Sequence, residues 1–130
     1  MLPDLLKHYL EEVEAAVRDL EGVYVERYQE EILTSERVNL RIRIRFSKGF
    51  LLELNEAVVA ESGTMRHLGY RYHFQDERNE LIFRYDNTPH FPELKNFPHH
   101  KHMERGVTGC EKPSILRVLE EASSFPRNNP

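Results

Sequence analysis

Ten residues, Arg37 to Phe46, alternate without a break. Val38, Leu40, Ile42, Ile44 and Phe46 share one parity, and Asn39, Arg41, Arg43 and Arg45 share the other. A period of two puts the two sets on opposite faces of a strand. One face must be buried, and the other must hold Arg41, Arg43 and Arg45 in the open. A chain built round this strand needs more strands beside it and a cover on its apolar face only.

The neighbouring stretches supply both. Residues 23–33 read as a weaker strand, in which Val23 and Val25 alternate with Tyr24 and Glu26 before Ile32-Leu33 closes the run. Ser47-Lys48-Gly49 is a hairpin turn, and Phe50 to Ala60 returns with Phe50, Leu52 and Leu54 inward and Leu51, Glu53 and Asn55 outward. After a turn at 61–64, Leu68, Tyr70, Tyr72 and Phe74 alternate with His67, Gly69, Arg71, His73 and Gln75. After another at 76–79, Leu81, Phe83 and Tyr85 alternate with Ile82, Arg84 and Asp86. Short connections between consecutive strands describe an antiparallel meander.

Two helices bracket it. Leu2, Leu5, Leu6, Tyr9, Leu10, Val13, Ala16, Val17 and Leu20 form one stripe over residues 2–21, opened by Pro3 and stopped by Gly22. This helix should cover one face of the sheet. Pro113 opens the second, whose stripe is Ile115, Leu116, Val118, Leu119 and Ala122. The predicted fold is α+β: an antiparallel meander sheet of about five strands with an N-terminal and a C-terminal helix. It forms a single domain over residues 1–124, with a polar tail after Ser123 that is disordered over 125–130.

Bulk properties narrow the function classes. The 130 residues are 39% hydrophobic and 31% charged, as in a soluble globular protein. No apolar run reaches the roughly 18 residues that would span a bilayer, so no membrane role is expected. The acidic, amphipathic N-terminus is no signal peptide, and the lone Cys110 excludes an intrachain disulfide, so the expected location is cytoplasmic. Residues 1–36 carry ten acids and three bases, and residues 37–130 carry twelve acids and fifteen bases with six histidines. The net charge of −4 thus divides into an acidic helical part and a basic sheet part, which suits a sheet face that receives an anion.

The histidines concentrate the chemistry. Four of the seven lie in His90 and the run His99-His100-Lys101-His102, just beyond the Leu81–Asp86 strand. Residues 87–112 have no clean period and carry Pro89, Pro92 and Pro98, so they read as a long loop folded over the sheet. If that run is extended, His100 and His102 project together with His99 and Lys101 opposite; in a helical turn His99 and His102 align instead. With the polar strand faces added, the candidate catalytic groups are His73, His99, His100 and His102. Candidate phosphate binders are Arg43, Arg71, Arg84 and Lys101, supported by Glu53, Tyr85, Asp86 and His90. Guanidinium forks match phosphate oxygens, and imidazoles move protons near neutral pH. Such a set fits cleavage of an RNA phosphodiester, whose 2′-hydroxyl supplies the nucleophile, with no cofactor.

Competing readings use the same residues. Cross-strand ion pairs would explain the arginines, a surface or tautomer-locked structural role would explain His73, and hydrogen-bonding plugs in a proline-rich loop would explain the His99–His102 run. A nitrogen/oxygen metal site could be drawn from His100, His102 and Asp86, with His90 near, giving a metal-dependent nuclease. A module that grips nucleic acid or protein without turnover would need only the charges. No Cys-x-x-Cys, His-Glu-x-x-His or glycine-rich phosphate loop is present.

Four pieces read in series carry a resemblance: Tyr70-Arg71-Tyr72-His73-Phe74-Gln75-Asp76, Leu81-Ile82-Phe83-Arg84-Tyr85-Asp86-Asn87, Pro89-His90 and Phe97-Pro98-His99-His100-Lys101-His102. The series resembles the TumE-type toxin family of prokaryotic toxin–antitoxin pairs, over most of the chain from the Leu40–Phe46 strand to the Pro113–Glu121 helix. Where that family often has a second histidine after the position of His90, this chain has Phe91. The resemblance implies a cytoplasmic, growth-inhibiting toxin neutralised by a cognate antitoxin, with RNA as a possible substrate and a homodimer as a possible assembly. It assigns no catalytic roles to individual residues.

Overall fold

A computed structural model describes residues 2–128, with side chains as far as Phe125. Helix α1 (Asp4–Arg18) is followed by β1 (Tyr24–Thr34), β2 (Arg37–Arg45), β3 (Leu51–Glu61), β4 (Thr64–Gln75), β5 (Leu81–Asp86), β6 (His100–Met103) and β7 (Gly106–Gly109). Helix α2 (Ile115–Asn128) completes the chain, so the helix continues past Ser123, where the sequence placed the start of a tail. Residues 129 and 130 of that expected tail lie outside the described residues. All seven strands pair antiparallel in chain order.

The α+β meander with its two flanking helices is as expected. The sheet has seven strands where the sequence indicated about five. The additional pair, β6 and β7, arises in the stretch read as a loop. His-Lys-His-Met has no apolar alternation, so nothing local marks it as a strand; pairing with β5 fixes it, Tyr85 against Lys101 and Asp86 against His100. The extended reading of the histidine run therefore holds. Gly109 on β7 is required for a different reason. A Cβ there would stand 2.0 Å from the Lys95 carbonyl oxygen, because the 87–99 segment crosses directly over this strand.

The apolar parity of β2–β5 forms the core. Val38, Leu40, Ile42 and Ile44 pack with Leu52, Leu54, Tyr72, Phe74 and Phe83. On α1, Leu6, Leu10, Val13 and Val17 are buried, and on α2 Ile115, Val118, Leu119 and Ala122. All belong to one apolar cluster with the sheet residues. Each fully buried aliphatic or aromatic side chain contributes about 1.5–3 kcal/mol. Covering only one parity leaves the other face of the sheet open.

One irregularity on β4 shapes that open face. Glu56 pairs with Tyr70 but Val58 pairs with His67, so three residues of β4 span what two residues of β3 span. This bulge at Leu68-Gly69 reverses the side-chain parity beyond it. His67, expected beside Arg71 and His73, consequently turns to the helix side and lies 3.4 Å from Glu56 Oε1. Asn87, directly after β5, holds the bulge. Its Nδ2 donates to the Leu68 carbonyl at 2.8 Å, and its Oδ1 accepts from the Tyr70 N–H at 3.2 Å.

Candidate functional site

Strand register turns the alternating polar residues into two rows. Arg43 pairs with Glu53, Glu53 with His73, His73 with Arg84, and Arg84 with His102. Two residues along each strand, Arg41 pairs with Asn55, Asn55 with Arg71, Arg71 with Asp86, and Asp86 with His100. The rows thus bring together His73, His100, His102, Arg43, Arg71, Arg84, Glu53 and Asp86 on the open face. The 87–99 segment folds over their end, where the Phe91 ring meets His100 and His102 with centroids 5.1 and 5.9 Å away. His90, exposed in that segment, lines a cavity of about 250 Å³ with Arg71, Arg84, Asp86, Thr88 and His102.

His99, Lys101 and Tyr85 have the opposite parity and face the helices. Lys101 Nζ donates to Glu121 Oε2 at 2.7 Å, and the Tyr85 hydroxyl donates to Glu121 Oε1 at 2.7 Å. Both anchor α2 and stand away from the rows. The His99 ring stacks on Tyr70, with its Nδ1 3.1 Å from the Tyr70 hydroxyl. Burial, then the Lys112 cation, lowers the His99 pKa.

The arginines divide into paired and unpaired. Arg43 bonds Glu26 at 2.7 Å and lies 3.1 Å from Glu53, and Arg45 shares Glu26 at 3.0 Å. For these two the cross-strand ion-pair reading is realised. Arg41 and Arg71 make no ion pair among the described residues. Arg84 Nε lies 3.4 Å from Asp86 Oδ2 yet has no directed hydrogen bond among the described residues.

Asp86 is the buried centre of the site at 5% exposure. Its Oδ1 accepts the Thr88 N–H at 3.0 Å and stands 2.9 Å from His100 Nε2; its Oδ2 is 3.7 Å from His102 Nε2. His100 Nδ1 lies 2.9 Å from the Pro98 carbonyl oxygen, which can only accept, so Nδ1 carries a proton. The close His100–Asp86 approach is not aligned as a hydrogen bond, which leaves Nε2 buried without a directed partner among the described residues. Asp86, His100 and His102 offer ligand atoms within 4.8 Å of one another and could hold a metal ion.

His73 is a different kind of imidazole. Its Nε2 lies 2.9 Å from Gln75 Oε1, whose amide is oriented by a bond to Asn79, and its Nδ1 is buried with no partner among the described residues. Burial first, then the Arg71 and Arg84 cations, lowers its pKa from the ordinary 6.5, so the neutral ring with a free Nδ1 lone pair is favoured at neutral pH. Burial and Arg84 lower His102 in the same way. Arg41, Asn55 and Asn87 were not among the sequence-based candidates. The signals for them were the arginine parity of β2, an asparagine in the same parity on β3, and an asparagine closing the Leu81–Asp86 strand.

A sheet with both helices on one face and a histidine–arginine–aspartate surface on the other defines an α+β protein with an open, cationic sheet face. The model of the toxin family TumE matches residues 11–127 of the 130-residue chain, and the chain belongs to that family. The resemblance carried by the Tyr-Asp-Asn and Phe-Pro-His-His-Lys-His pieces is thereby borne out. The family is one of toxins, and membership implies an antitoxin partner. No curated protein and no solved structure matches the chain. No helix among the described residues is long and apolar enough to cross a membrane.

Proposed function

We propose that this toxin is a metal-independent endoribonuclease that cleaves by proton transfer between imidazoles and RNA oxygens. The observation that carries the reading is the row in which His73 and His102 flank Arg84 on the open face. Two strand spacings, roughly 9.5 Å between backbones, leave room for a phosphodiester over Arg84 between the two rings. One ring takes the proton of the ribose 2′-hydroxyl as its oxygen attacks phosphorus. The P–O5′ bond breaks, and the other ring gives its proton to the departing 5′-oxygen. The products are a 2′,3′-cyclic phosphate and a 5′-hydroxyl end. Arg84 and Arg71 are aimed at the charge that develops on the phosphoryl oxygens. The neutral form of His73 suits it to the base role, and the Asp86 carboxylate 3.7 Å from His102 Nε2 opposes the lowering there and favours the protonated acid.

The experiment is cleavage of single-stranded RNA by purified protein in EDTA, with the new ends identified. Cyclic or 3′-phosphate ends are expected. Removal of one proton-transfer ring by His73→Ala or His102→Ala should slow cleavage by about 10²–10⁴-fold and relieve toxicity. Full cleavage and toxicity in the double variant would end this reading.

A second reading is favoured by one specific feature. His100 has its Nδ1–H toward a backbone carbonyl and its buried Nε2 toward Asp86 and His102, the arrangement usual for an imidazole that binds a metal. In that case cleavage would stop in EDTA and return with a divalent transition ion, so the same assay separates the two.

A further inference from the structure

Beside the histidine row, the open face is notched. The notch has a volume of about 490 Å³ and shares Arg71 and Thr88 with the cavity that holds His90 and His102. Ala57 and Gly69 line it without bulk, between Asn39 on β2 and Asn87 at the β4 bulge. A Cβ at Gly69 would meet nothing within 4 Å, and the backbone there is not left-handed. Neither packing nor chain geometry therefore requires glycine at this position.

The walls hold polar groups that the fold leaves unused. Arg37 Nε and Asn39 Oδ1 are buried without a hydrogen-bond partner among the described residues. Asn39 engages only its Nδ2, toward Glu31 at 3.3 Å. The Asn55 amide makes no hydrogen bond among the described residues, and Arg41 and Arg71 are unpaired there. Buried polar groups are ordinarily satisfied, so an orphan donor and an orphan acceptor on residues lining one notch point to a ligand that supplies both. Arg71, on the near wall of the notch, is one strand repeat, about 6.8 Å, from the row that would hold the phosphate, and Ala57 and Gly69 lie about two repeats from it.

We infer that this notch is a nucleobase subsite that takes a guanine of the RNA whose scissile phosphate lies on the histidine row. Guanine offers two adjacent acceptors, O6 and N7, which match a guanidinium fork; Arg41, Arg71 and the Arg37 Nε can supply it. Its N1–H and 2-amino group donate, and the Asn39 and Asn55 carbonyl oxygens can accept them. The inference rests on the ribonuclease reading for its substrate class, and it adds which base is read and by which residues.

The test uses the full chain silenced by His73→Ala, so that binding is read without cleavage. Four single-stranded RNA oligonucleotides, identical except for G, A, C or U at one position in a uracil background, are titrated by fluorescence anisotropy. The guanine oligonucleotide should bind about tenfold or more tightly than the others. Gly69→Leu fills the notch from a strand position with free space, and Arg37→Ala empties one wall; each should bring guanine down to the level of adenine, with the circular dichroism spectrum kept. Equal affinity for all four oligonucleotides, or a guanine preference that survives both substitutions, overturns the inference. Cleavage by the unsilenced chain without base preference would overturn the subsite and leave the ribonuclease reading standing. Failure to bind any of the four at low salt would overturn both.

Discussion

His73 shows how a strand position becomes a chemical one. The sequence placed it on the polar parity of its strand, and register then put Glu53 on one side and Arg84 on the other. Its lowered pKa comes first from burial and then from Arg71 and Arg84. Removing a neighbouring cation removes a penalty on the imidazolium, so Arg71→Ala should raise the His73 pKa. A proton NMR titration of the ring resonances reads this directly, without reference to activity. An unchanged or lower value would mean that Arg71 does not reach the ring. Asn87 is the residue that sequence could not explain. An asparagine after Tyr85-Asp86 looks like a turn signal, whereas its amide substitutes for a missing strand residue at the β4 bulge. Asn87→Ala leaves the Tyr70 N–H and the Leu68 carbonyl without these partners. It should cost about 1–3 kcal/mol in denaturant unfolding, and under the ribonuclease reading it should also slow cleavage by loosening Arg71 on the same strand.

Among the elements, the ones with a clean period were legible and the ones without were not. β2 and β3 follow from their alternation, and α1 from its stripe; Leu6→Ala in that stripe should cost about 2–5 kcal/mol, because Leu6 is fully buried against the sheet. β6 could not be read in this way. Its four residues carry imidazoles and a lysine, and only the neighbouring strand dictates their conformation. That pairing decides which side chains lie together: His100 and His102 on the open face, His99 and Lys101 toward the helices. Gly109 tests the covering segment from the other side. Gly109→Ala places a methyl where the Lys95 carbonyl now lies, and a backbone atom cannot rotate away. The 87–99 segment should lift, which faster hydrogen exchange across these residues in the alanine variant would report. Unchanged exchange would show that the segment is not seated on β7.

At the scale of the whole molecule, one face of the sheet serves stability and the other is available for chemistry, and the two titrate in different pH windows. On the helix face, Glu56 is 5% exposed and accepts from the hydroxyls of Tyr9 and Tyr72, with His67 3.4 Å away. Burial pushes its pKa up, but the bonds from His67, Tyr72 and Tyr9 outweigh burial and hold it below the ordinary 4.5. A carboxyl held low in the fold contributes stability that is complete above its unfolded value and is lost as pH falls through the folded one. His73 is also held low, but from 6.5, so its contribution is complete above that pH and begins to be lost there on acidification. Acid should therefore weaken the protein in two stages, the first from below about pH 6.5 and the second from below about pH 4.5. Tyr9 links α1 to Glu56, so the second stage should release that helix from the sheet. Urea midpoints measured from pH 7.5 to 3.5 resolve the stages. His73→Gln should reduce the upper one, to which His99 and His102 also contribute, and leave the lower unchanged. Glu56→Gln should lower stability at pH 7, because the carboxylate and its charge-assisted bonds are gone, and should flatten the lower stage. An acid slope below pH 4.5 that is the same in the wild type and in Glu56→Gln would assign that loss to other carboxylates, and α1 would then be held by its apolar stripe alone.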